Sequence, residues 1–215
     1  MSNSVRNPYY NIGSIDEPSL FFGRSSDIER LLTALFSETP QCRSIVGQRK
    51  IGKTSLVHHL SRTDTIRNFG FQPRDYLFVY FNCQKVPDAL KSVNGFYREL
   101  INLLLNKIQG KIRRFALTSS IDLNSSVVGK EWEKLLKKLV KQNLRVIVMF
   151  DEFEKAIISR PLIEGGLFGS LRGYKQDNPN FAWITCTMYY LQDLFRQSFD
   201  EFDISPTQRK SESDF

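Results

Sequence analysis

From Ser25 onward the chain alternates between two hydrophobic rhythms. In "SSDIERLLTALFSE" apolar Ile28, Leu31, Leu32 and Leu35 recur at helical spacing behind a Ser N-cap with acids in the first turn, which predicts a helix. The β-branched run "RSIVG" predicts a short strand, and a second helix begins at about Lys53. "YLFVYFN" (76–82) is almost continuously apolar and aromatic, the pattern of a strand covered on both faces. Residues 88–109 return to helical spacing through Phe96, Leu100, Leu103, Leu104 and Ile108. In "KEWEKLLKKLVKQN" Trp132, Leu135, Leu136, Leu139 and Val140 fall on one helix face and lysines on the other. "RVIVMFDE" (145–152) is a second buried strand that ends in two acids. A glycine-containing helical stretch, "LIEGGLFGSLRGYKQ", precedes a third buried strand, "FAWITCTM" (181–188), and a short helix, "YYLQDLFRQSF".

Strands that alternate with helices in this way predict an α/β fold: three α/β/α layers around a mainly parallel sheet. Residues 1–20, rich in Asn, Ser, Pro and Gly, read as an extended arm, 21–199 as the domain, and 200–215 as a polar, disordered tail. "KIRRFALTSSIDLNSSVVG" is a weakly patterned connector, and there is no internal repeat. The 215 residues are 41% hydrophobic and 13% aromatic, enough for a sizeable core. A net charge of +7 suits a phosphate-bearing ligand but is not by itself a nucleic-acid signature. Cys42, Cys83 and Cys186 lie far apart without a CxxC pair, so reduced thiols are expected rather than a disulfide framework or zinc site. "MSNSVRNPYY" lacks the apolar core of a secretory signal, and no run approaches the roughly 18 apolar residues of a membrane helix. A cytoplasmic protein that does not engage a membrane is the expectation.

The chemistry concentrates between the first strand and the helix after it. "GQRKIGKTS" fits G-x-x-x-x-G-K-[ST], a loop whose backbone N–H groups cradle phosphates. Gly47 and Gly52 allow the tight turn, with Gln48, Arg49, Lys50 and Ile51 between them. Lys53 reaches the β- and γ-phosphates, Thr54 is placed on Mg²⁺, and Ser55 continues the helix whose N-terminus faces the anion. Such a pattern can arise by chance in a surface loop, but here a strand precedes it and a helix follows. The second half of the site is "VIVMFDEFE": an acid at the C-terminal end of a buried parallel strand lies where ligands bind in open α/β folds. Asp151 is read as the second Mg²⁺ residue and Glu152 as the base that activates water. Glu154 is read as facing solvent or a loop, without a role.

Weaker signals surround these. Arg172 could face a neighbouring subunit's phosphate, although a solvated helix position is the commoner fate of an arginine. Thr185 and Thr187, ending the third buried strand, could hold the attacking water or equally satisfy a neighbouring backbone group. His58 and His59 are adjacent on a helix and so diverge, which excludes a metal pair. "NKIQGKIRR" (106–114) is the basic cluster that could meet nucleic acid, without stacking aromatics to support it.

"NPYYNIGSIDEPSLFFGRSSDIERLL", "SIVGQRKIGKTSLV", "RVIVMFDEFE" and "LFGSLRGYKQDNPNFAWITCTMYYLQDLF" together resemble the AAA+/STAND-type P-loop ATPases of bacteria and archaea over residues 7–196. The resemblance implies ATP and Mg²⁺ as ligands, with Phe21, Phe22, Gly23 and Arg24 lying against the adenine. It also implies that Thr185 or Thr187 is the polar sensor and that Arg172 is the arginine of the family's "LR" element. Members of that group continue into a helical lid, which this sequence is expected to lack. The function expected is a slow Mg²⁺-dependent ATPase acting as a nucleotide switch, with a second copy or a protein partner supplying a cation. The alternatives are a nucleotide-binding interaction module without turnover and a DNA-associated ATPase related to origin-recognition proteins.

Overall fold

The computed structural model describes residues 21, 23–108 and 121–201. The arm at 1–20, Phe22, residues 109–120 of the connector and basic cluster, and 202–215 of the tail lie outside the described residues. In chain order the elements are α1 (Ser25–Leu35), β1 (Arg43–Val46), α2 (Lys53–Leu60), α3 (Thr63–Asn68), β2 (Tyr76–Asn82) and α4 (Val93–Ile108). There follow α5 (Val128–Lys141), β3 (Arg145–Asp151), α6 (Glu154–Ile157), α7 (Arg160–Glu164), α8 (Leu167–Asp177), β4 (Phe181–Thr187) and α9 (Leu191–Glu201).

The four described strands form one parallel sheet in the order β1-β4-β3-β2. The strand that leads into the phosphate-loop motif is therefore separated from the acidic strand by β4. Successive strand residues point to opposite faces, and each face carries its own core. Leu77, Val79 and Phe81 of β2, Val146, Val148 and Phe150 of β3, and Phe181 and Trp183 of β4 pack with apolar residues of α4, α5 and α6–α9. The alternate positions Tyr76, Phe78, Ile147, Met149, Ala182, Ile184 and Cys186 pack with α1, α2 and α3. This is the three-layer α/β/α arrangement, and it explains why the strands read as unbroken apolar runs.

Most helix faces follow the sequence periodicity. Trp132, Leu135, Leu136 and Leu139 of α5 are buried, and each side chain of this size contributes about 1.5–3 kcal/mol when removed from water. Val140 is the exception at 36% exposed, because the drift of 3.6 residues per turn carries it off the buried face. α1 begins at Ser25 itself, after Arg24, and no side chain caps it, so the expected Ser N-cap is not formed. The glycine-containing stretch is two helices rather than one. Gly165 ends α7 and Gly166 (φ +69°) turns the chain into α8. A β-carbon on Gly165 would lie 2.5 Å from Val93 Cγ2 and 2.8 Å from the Pro161 carbonyl oxygen, so the break is also a close-packing point against α4. At the far end, α9 runs through Asp200 and Glu201, two residues into the stretch read as tail.

Candidate functional site

β1 delivers the chain into a turn at Gln48–Ile51 and then into α2. The turn is anchored on the next strand by the Gly47 N–H, which donates to the Thr187 carbonyl (3.1 Å). It uses left-handed backbone at Lys50 (φ +65°) and Gly52 (φ +93°). Gly52 precedes the first residue of α2 and its carbonyl accepts from Leu56 N, so a residue with free access to positive φ starts the helix. The N–H groups of Lys53 and Thr54 occupy the first turn of α2, where helix geometry supplies no partner and the dipole favours an anion. Gln48, Arg49, Lys50 and Ile51 are exposed around the turn. The Lys53 ammonium, buried beneath them, donates to the carbonyls of Gly47 (2.7 Å) and Gln48 (3.1 Å).

The acidic strand end meets this loop directly. Asp151 continues the face of β3 that carries Ile147 and Met149, the face under α2. Thr54 Oγ1 donates to Asp151 Oδ2 at 2.8 Å, a bond between residues 97 apart in sequence. Asp151 is 2% exposed, and a carboxylate so enclosed needs partners for its lone pairs. Oδ2 also accepts from Tyr80 Oη (2.7 Å), and Oδ1 accepts from the Glu152 N–H (3.1 Å). Burial, and then the bond to Asp151, push the Tyr80 hydroxyl far above its usual value, so it is a proton donor throughout the working pH range.

Glu152 follows with φ +52°, left-handed backbone that costs a non-glycine residue about 1–2 kcal/mol. Bonds on both sides hold it there: Cys83 N donates to the Asp151 carbonyl (2.9 Å) and Phe153 N to the Cys186 carbonyl (3.0 Å). Glu154, expected to face solvent or a loop, is half-buried. Its Oε2 is buried and without a hydrogen-bond partner among the described residues. Burial first, and then the charge of Glu152, raise its carboxyl above the usual glutamate range.

Thr185 and Thr187 are fully enclosed. The Thr185 hydroxyl donates to Ser44 Oγ (3.1 Å) and that of Thr187 to the Tyr189 carbonyl (2.8 Å). Satisfying a neighbouring backbone group, the alternative left open by sequence, is what Thr187 does here, while Thr185 meets a side-chain hydroxyl. Thr187 still borders the loop through its carbonyl. Arg172 is half-buried on α8. On the other flank, Phe21 stacks on His59 of α2 with ring centroids 4.2 Å apart and planes 11° from parallel. Arg24 donates to the Ile51 carbonyl (2.8 Å) and pairs with Asp27 (3.5 Å), so the segment that begins at Phe21 touches the phosphate-loop turn. Gly23 between them has φ +79°. Tyr80, which periodicity marks only as a strand residue, is the member of this cluster that sequence reasoning did not find.

Among the described residues no group of three His, Cys, Asp or Glu side chains could hold a metal ion. A hard cation such as Mg²⁺ needs less, since it takes one or two protein oxygens and completes its shell with water and phosphate. The Thr54–Asp151 oxygen pair fits that demand. All three cysteines are free, and burial raises the thiols, that of Cys42 to about 11. No helix among the described residues is long and apolar enough to cross a membrane.

The family model of an ATPase domain predominantly from Archaea, ATPase_2, matches residues 21–175. The chain belongs to this family. No curated protein sequence matches the chain. In fold, this ATPase domain is similar to the ORC2 protein of Aeropyrum pernix in its ADPNP–ADP complexes, with TM-score 0.58 and 14% identity over 96% of this chain and 49% of that one. It is similar also to a Walker-type ATPase of Pyrococcus abyssi, with TM-score 0.56 and 18% identity over 90% of this chain and 52% of that one. A third similar structure is the Aeropyrum pernix ORC1 protein in complex with DNA, at TM-score 0.52, 16% identity, and 91% and 44% coverage. The chain spans about half the length of these solved proteins.

Proposed function

We propose that this P-loop ATPase domain binds ATP with Mg²⁺ between the turn at Gly47–Ser55 and the acidic end of β3, and hydrolyses it slowly as a nucleotide switch. The observation that carries the reading is the Thr54–Asp151 hydrogen bond, which joins the two halves of the motif at one point. A hydroxyl has one proton and two lone pairs. With its proton committed to Asp151, Thr54 turns lone pairs toward a cation. Mg²⁺ bound there would neutralise charge on the β- and γ-phosphates.

The protein's own groups do the rest. Lys53 exchanges two neutral carbonyl acceptors for anionic phosphate oxygens, a gain because attraction between opposite charges is added to its charge-assisted hydrogen bonds. The first-turn N–H groups of α2 receive the same phosphates. Glu152, held by its pinned backbone, takes a proton from water as the oxygen attacks the γ-phosphorus and the β–γ bridging bond breaks to release ADP. Phe21 and His59 offer a flat wall for adenine, which Arg24 ties to the turn.

Slow turnover follows from charge. Phosphoryl transfer depends on cations at the γ-phosphate, and Lys53 is the buried one the loop supplies, with Arg49 and Lys50 exposed around the turn. Arg172 is assigned to a neighbour's phosphate in an assembly, and Thr187 to the border of the γ-phosphate position. Glu152→Gln is expected to abolish phosphate release from ATP while leaving nucleotide affinity within about threefold, because a base acts on chemistry rather than on ground-state binding. Phosphate release and calorimetry on the two proteins check it. Undiminished turnover in the variant would remove Glu152 from the mechanism.

A further inference from the structure

One tightly held polar side chain at the candidate site belongs to neither motif. Tyr80 lies on β2, the strand next to β3, where Asn82 is paired with Asp151 and Tyr80 with Met149. It is thus the diagonal neighbour of Asp151, on the face covered by α2. Its hydroxyl meets Asp151 Oδ2 at 2.7 Å and Asn82 Nδ2 at 3.1 Å. The proton directions follow from chemistry. A carboxylate only accepts, so Tyr80 donates to Asp151. The Asn82 amide is oriented by its other end, since Oδ1 accepts from the N–H groups of Gln84 (3.0 Å) and Lys85 (3.1 Å). Its Nδ2 must therefore face Tyr80 and donate to it. The His58 ring packs edge-on against the Tyr80 ring with centroids 4.4 Å apart, which fixes the ring from the α2 side.

The outcome is a directed chain, Asn82 to Tyr80 to Asp151, that ends on the same oxygen that Thr54 reaches. We propose that Tyr80, oriented by Asn82, is a positioning residue that clamps Asp151 Oδ2 so that the Thr54–Asp151 oxygen pair is preset for a nucleotide-bound divalent cation. This rests on the nucleotide site proposed above. Without Tyr80 the carboxylate keeps only the Thr54 hydroxyl on Oδ2 and the Glu152 N–H on Oδ1 (3.1 Å), and a turn about its last torsion releases the Thr54 hydroxyl to point its proton elsewhere. Both oxygen donors then lose their alignment together. Partners of this outer kind commonly carry about 10- to 100-fold in metal affinity.

The test is the affinity of the intact chain for a non-hydrolysable ATP analogue, measured across a MgCl₂ titration and in EDTA, for wild type, Tyr80→Phe and Asn82→Leu. Tyr80→Phe keeps the ring and its packing and removes only the hydroxyl. Its Mg²⁺ midpoint should rise about tenfold or more, with affinity in EDTA and the melting temperature close to wild type. Asn82→Leu should shift the midpoint in the same direction by less. An unchanged midpoint in Tyr80→Phe overturns the inference and leaves the nucleotide site standing. So does a loss of affinity that is equal with and without Mg²⁺, or a failure to fold, since the hydroxyl would then serve the fold rather than the cation. Wild-type binding that ignores Mg²⁺ would overturn the site and the inference together.

Discussion

Two carboxylates three residues apart meet opposite fates. Asp151 is enclosed and receives donors on both oxygens, whereas Glu154 is enclosed at Oε2 with no donor. The consequence for Glu154 is a carboxyl raised above its unfolded value, by burial and then by the charge of Glu152. In the nucleotide-free protein the folded state then holds a proton that the unfolded state releases. Its contribution to stability is fully present below the unfolded value and is lost as pH rises through the folded one. Glu154→Gln has no such proton to lose. Its stability relative to wild type should therefore climb from about pH 4.5 upward, read as the denaturant midpoint at successive pH values. A difference that is flat or falls with pH would contradict this. Lys53 and Thr54 were legible in sequence because a phosphate loop forces its residues into fixed spacing, and Asp151 because it is an acid at the end of a buried apolar strand. Tyr80 and Glu154 were not. Their importance depends on which strand lies beside β3 and on how the chain turns after Asp151, and neither is written in local spacing.

At the scale of elements, the strands were the clearest reading. A parallel strand buried on both faces has few polar positions, and 76–82 forms β2 at the expected residues. The pieces that escaped are short. α3 and α6 have six and four residues, too few to show a helical period. The α7–α8 break escaped for a different reason, since two glycines in a helical stretch mark a weak point without saying whether the chain turns there. The structure puts the turn at Gly166 (φ +69°), while Gly165 has ordinary φ but no space for a β-carbon beside Val93. Gly165→Ala should destabilise the domain by about 1–3 kcal/mol through overpacking. Adding Val93→Ala should recover part of that loss by removing the clashing methyl. Chemical denaturation of the single and double variants measures it, and an unchanged midpoint in Gly165→Ala would mean the α4 contact yields freely.

Across the whole molecule, the sheet divides two cores and presents its C-terminal edge as the place where everything chemical gathers. The β1–α2 turn, the β3 end, Thr187 and the Tyr80–Asn82 pair reach that edge from all four strands. That convergence, more than any single residue, makes the ATP–Mg²⁺ reading the central claim. It is tested most directly by calorimetric titration of wild type and Lys53→Ala with the same non-hydrolysable ATP analogue and Mg²⁺. Removing the ammonium takes away charge-assisted bonds of about 1.5–3 kcal/mol, so the variant should bind at least about tenfold more weakly while keeping its fold by circular dichroism. Equal affinities in the two proteins would show that the nucleotide does not lie on this loop.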